Sequence, residues 1–163
     1  MQTRQLVTDI ANSLSSEAMK KSRIEKLAPI ANRVLMQQYE ANGELNPDNA
    51  ILRKDINGNM YIKSSYDGKV SGFGIAVALS GLLPALAMYF NESRGEIKTR
   101  PILEVIAKII IEDSEYELLK SNNTARGLLD HAMQKSTDLN KLKKYLLEAA
   151  VALKQVVRTY NLD

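Results

Sequence analysis

Residues 73 to 90, FGIAVALSGLLPALAMYF, pass eighteen positions without a charge. Such a run either crosses a membrane or joins the interior of a folded domain. A helical span needs about 20 apolar residues, and eighteen in helical form measure roughly 27 Å against a hydrocarbon core of about 30 Å. The content is also soft: four alanines, two glycines, Ser80 and Pro84 take nearly half the positions. Gly81 and Pro84 loosen or kink a helix at its middle. The flanking segments are amphipathic and need an apolar element to pack on. The run is therefore expected as a buried helix, or a kinked helix pair, inside a soluble bundle.

The remaining segments read as helix. Leu6, Ile10, Leu14, Ile24, Leu27, Ala31, Val34 and Leu35 recur at three- and four-residue spacing, with Pro29 expected to kink the helix or start a new one. Residues 42 to 62 are rich in turn signals, with Asn-Gly twice and Asn-Pro once, and are expected as a surface excursion with a short hairpin near DINGNMYI. Ser64 or Ser65 is a candidate cap for the next helix, and NESRGEIKT after Phe90 reads as a loop. Pro101 suits the first turn of PILEVIAKIII, whose charges are confined to Glu104 and Lys108. SNN at 121 to 123 breaks the chain before a short helix, TARGLLDHAMQK. The last helix shows Leu142, Leu146, Ala149, Leu153, Val156 and Tyr160 spaced 4, 3, 4, 3 and 4. The fold class expected is all-α: one domain over residues 1–163, a bundle of five to seven helices with a central buried apolar helix and a long amphipathic C-terminal helix.

Catalytic chemistry is hard to assemble from this inventory. With no cysteine there is no disulfide, thiolate metal site or cysteine nucleophile, which fits a cytoplasmic protein. One histidine, His131, suits a surface or capping role better than general-base work. A phosphate-binding loop of the GxxxxGK[ST] type is absent. DINGN opens like a calcium loop, but Met60 and Tyr66 stand where glycine and glutamate are required. The acidic run Glu112, Asp113, Glu115 and Glu117 reads as a solvated face or helix start before a cation site. No enzyme, cofactor or small-molecule substrate is expected.

Charge is placed unevenly. Residues 135 to 158 hold Lys135, Lys141, Lys143, Lys144, Lys154 and Arg158 against Asp138 and Glu148. On a helical wheel Lys141, Lys144, Lys154 and Arg158 fall in one arc of roughly 140°, opposite the apolar stripe. Leu147 and Val151 fall inside that arc, so either another helix packs there or the face meets a protein partner. With no tryptophan and two phenylalanines, nucleic-acid contact would be to phosphates and indifferent to sequence.

The run SGFGIAVALSGLLPALAMYF resembles the signature of the small α-helical subunit of the type III-B CRISPR effector, the Cmr complex. Its members carry a GL-[LG]-x-[AT]-L-A-F type segment, matched here by Gly81-Leu82-Leu83-Pro84-Ala85-Leu86-Ala87-Met88. KYLLEAAVALKQVVRTY matches in style their long amphipathic last helix with a late basic residue. Met88 departs from the family's aromatic, the last helix lacks its frequent tryptophan, and the 42–62 connection is long. The resemblance implies a non-catalytic subunit of an antiviral RNA-guided complex. Such subunits stack with copies of themselves beside the other type III-B subunits and help line the groove for guide RNA and target RNA. By motif position it implies RNA-backbone contacts at Lys63, Lys69, Lys154 and Arg158, to which geometry adds Lys144. Leu147 and Val151 are the matching protein-interface candidates.

Overall fold

A computed structural model describes residues 2–91, 97–117 and 122–163, with side chains from Lys21 onward. It is a helical bundle: α1 (Gln2–Asn42), α2 (Ser64–Ser80), α3 (Leu82–Asn91), α4 (Arg100–Asp113), α5 (Ala125–Met133) and α6 (Leu139–Val157). The side chains of Leu6, Ile10 and Leu14, on which the predicted inward stripe rests, and part of the two predicted breaks, 92–96 and Ser121, lie outside what is described.

Helix α6 is the axis of the bundle and packs on α1, α2 and α4. Its stripe Leu142, Leu146, Ala149, Leu153 and Val156 is buried, as the spacing predicts. Its start is fixed by Asp138, whose carboxylate accepts from Asn140 N at 3.1 Å and Lys141 N at 3.2 Å. Helix α4 is the most enclosed, with every residue from Pro101 to Ile110 buried except the ion-paired Glu104 and Lys108.

The uncharged run forms the kinked pair α2–α3. Gly81 stands at φ 90°, a conformation costly for any residue with a β-carbon, and its N–H still bonds Val77 O at 2.9 Å. Burial of the run is one-sided. Phe73, Val77, Leu82, Ala85, Leu86 and Tyr89 are buried, whereas Ile75 is 61% and Leu79 82% exposed. The helical period explains this: with Phe73 and Val77 turned inward, Ile75 and Leu79 lie roughly half a turn away. Among the described residues no helix is long and apolar enough to cross a membrane.

Three local expectations are revised. No new helix starts at Pro29: α1 runs through it, with Leu27 and Ala31 buried on either side and holding both halves against one core. Neither Ser64 nor Ser65 caps α2: Ser64 N donates to the distant Asp163 carboxylate at 3.0 Å. The 42–62 segment has an exposed tip, organised by Asp55 Oδ1 accepting from Asn57 N and Asn59 N at 2.9 Å, but its arms bury Ile51, Leu52 and Ile62. Those arms form β1 (Leu52–Lys54) and β2 (Met60–Ile62), antiparallel as the hairpin signal predicts, and β3 (Asn161–Leu162) adds in parallel to β2. Gln38 ties this sheet to the bundle, donating to Pro101 O at 3.1 Å and accepting from Ile51 N at 3.0 Å, all buried.

Candidate nucleic-acid interface

The basic arc on α6 survives as a narrow strip. Helix α2 runs antiparallel alongside it: Arg158 Nε donates to Asp67 Oδ1 at 2.9 Å, and Leu147 Cδ2 lies 3.8 Å from where a β-carbon on Gly74 would stand. On the other side α1 reaches over, Arg23 Nε donating to Glu148 Oε2 at 2.9 Å. Between these neighbours Lys141, Lys144, Val151, Gln155 and Arg158 remain exposed, and Lys154 is half-buried at the α2 edge. Leu147 is half-buried and packs against the core, so a helix of the same chain meets it; Val151 is 44% exposed.

The five predicted phosphate contacts do not form one cluster. Lys154 and Arg158 lie near the C-terminal end of α6, where Lys63 precedes α2 beside the β2–β3 pair. Arg158 is charge-paired with Asp67, whereas Lys154 forms no ion pair among the described residues. Lys69 stands roughly 160° around α2 from Asp67 and thus faces away from α6. Lys144 is ten positions from Lys154, about 15 Å along the helix. It belongs instead with Lys141 and Lys143, in the first two turns of α6, and none of the three makes an ion pair among the described residues. Lys141 and Lys144 sit 6.0 and 5.6 Å from the ring centroids of Tyr116 and Tyr145. That concentration of unpaired charge is visible in the sequence as a count, but the choice of Lys141 over Lys69 needs the packing of α2.

The predicted acidic face is engaged within the chain. Asp113 and Glu112 pair with Arg23 and Arg33 of α1, and Lys26 reaches Asp113 and Glu115. No group of three or more His, Asp or Glu among the described residues is placed to hold a metal ion.

His131 has a structural partner. Its Nε2 lies 2.6 Å from the Tyr116 hydroxyl, and the two rings meet edge to face at 86° with 5.6 Å between centroids. Burial lowers the imidazole pKa below its ordinary value and raises that of the Tyr116 phenol, which nearby Asp138 raises further. The neutral ring is thus favoured in the fold, while the unfolded chain takes up a proton near pH 6.5. Stability should be constant above that value and fall as pH drops through it toward the lowered folded pKa. Denaturation midpoints between pH 7.5 and 5 are expected to decline, and His131→Gln to flatten that decline.

No family model, curated protein or solved structure matches this chain.

Proposed function

We propose that this chain is a non-catalytic structural subunit of a type III-B CRISPR RNA-guided complex in the cytoplasm, contacting guide–target RNA through phosphates and stacking with copies of itself. The observation that carries the reading is the exposed strip of α6, where Lys141, Lys144 and Lys154 without carboxylate partners among the described residues flank exposed Val151. Cations spaced along one helix suit a phosphate backbone, and an apolar gap between them suits a protein neighbour. The resemblance of residues 71 to 90 to the small-subunit signature supplies the assembly.

The test is RNA binding as a function of salt. Lys144→Glu with Lys154→Glu should weaken binding with little change in thermal unfolding, since Lys144 is exposed, Lys154 is half-buried, and neither forms an ion pair among the described residues. On single-stranded RNA the slope of log affinity against log salt should fall by about 0.7 for each phosphate no longer neutralised. Arg158→Glu is a poorer probe, because it sets two carboxylates together at Asp67. An unchanged slope in the double variant contradicts the assignment.

A second reading, a protein–protein adaptor with no nucleic-acid role, is favoured by the exposure of Ile75, Leu79 and Val151. It requires that Val151→Asp abolish partner capture while lysine reversal leaves capture intact.

A further inference from the structure

On a part of the surface separate from the α6 strip, the first turns of α4 and α5 open on a cavity of about 350 Å³. Phe90, Arg100, Glu104, Thr124 and Arg126 contribute to its walls. Two guanidinium groups share one aromatic ring there: the central carbon of Arg100 is 4.0 Å from the Phe90 centroid, and that of Arg126 is 5.8 Å away. Arg100 Nε donates to Phe90 O at 2.6 Å, so its head is held in place by ring and carbonyl. Its terminal nitrogens have no acceptor among the described residues. The acid in the wall, Glu104, is engaged by Lys108 at 3.0 Å. Among the described residues Arg126 has only the exposed pairing to Asp130, and an exposed pair of that kind holds its partner weakly.

Two like charges on one ring repel, and among the described residues Arg100 has no partner beyond that ring and carbonyl. A bound anion reverses the sign of the arrangement. The donors of two guanidinium planes, reached from different helices, match the several oxygens of a phosphate better than the two of a carboxylate. The positive ends of α4 and α5 add to the same field. The volume exceeds a phosphate alone and lies at the small end of ligand pockets, leaving room for the group that carries it.

We infer that the Phe90–Arg100–Arg126 cavity binds a phosphate monoester, such as the 5′-phosphate of a nucleotide or of an RNA end. This assignment does not rest on the RNA-lining strip of α6, and either can fail alone. The test uses the full chain and 5′-AMP, followed by calorimetry and by the arginine side-chain N–H resonances. Saturable binding of AMP, displaced by inorganic phosphate and absent for adenosine, is the expected result. Arg100→Gln and Arg126→Gln should each lower AMP affinity by about tenfold or more, the usual effect of losing a charge-assisted bond, with Lys144→Glu neutral. A 5′-phosphorylated RNA tetranucleotide that displaces AMP, where its 5′-hydroxyl counterpart does not, assigns the phosphate to an RNA end; failure of both to displace it assigns a free nucleotide. Equal binding of adenosine and AMP, no saturation at millimolar phosphate, or full affinity in a folded Arg100→Gln variant would overturn the inference.

Discussion

Arg23→Ala is expected to destabilise the protein by about 3 to 5 kcal/mol, the range for removing one partner of a buried ion pair. Asp113 ends α4 with its side chain only 3% exposed, at the negative pole of that helix. Arg23 holds it with two bonds, of 3.2 and 2.7 Å, and the same guanidinium reaches Glu148 on α6. These bonds keep Arg23 protonated, raising its pKa above the usual arginine value despite the opposing effect of burial. One side chain thereby joins α1, α4 and α6, and its loss leaves the covered Asp113 carboxylate without its main partner. Lys26 Nζ, 3.5 Å from Asp113, is too exposed to replace it in full. Asp113→Asn with Arg23→Met should recover much of the loss, because pairing matters here more than charge. Urea unfolding of the single and the double variant checks this; an Arg23→Ala loss below about 1 kcal/mol would place the cluster among ordinary surface pairs.

Phe73→Ala is expected to cost about 3 to 5 kcal/mol, and Leu79→Ser less than about 0.5 kcal/mol, although both residues belong to one uncharged run. Phe73 is fully buried and meets Tyr89 edge to face, with 5.2 Å between centroids at 71°. That contact closes α3 onto α2, and the Tyr89 hydroxyl adds a bond of 2.6 Å to Lys69 O. Leu79 loses almost nothing on truncation because it had little cover to begin with. Thermal denaturation of the pair measures how one-sided the run is. Comparable losses at the two positions would mean that Leu79 is covered in solution, as a stable self-association would make it.

The same run shows what the sequence discloses and what it withholds. Helix positions follow from local chemistry: the α6 stripe and the Pro101 entry to α4 stand where spacing and the first-turn preference of proline place them. The break at Gly81 follows from residue chemistry too. Local signals fail where a distant part of the chain takes over a local task. Asp163 rather than Ser64 satisfies the start of α2, and Gln38 rather than a turn residue anchors the arms of the hairpin. Lack of charge between residues 73 and 90 reads as full burial because composition carries no direction; the tertiary placement of α2 decides that Ile75 and Leu79 face out. For the candidate interface, helical geometry alone puts Lys141, Lys144, Lys154 and Arg158 on one arc. The antiparallel seating of α2 then removes Arg158 into a pair with Asp67 and turns Lys69 to another flank. The Arg100–Phe90–Arg126 grouping joins three helices and has no signature in any one of them.

Capture of the tagged, full-length chain from its native cells, with co-purified proteins and RNA both sequenced, tests the proposed function most directly. Repeat-derived guide RNAs arriving with a set of CRISPR subunits, and absent when Lys144 and Lys154 are reversed in charge, are the predicted result. A single protein partner with no RNA, released by Val151→Asp and kept on lysine reversal, would contradict it.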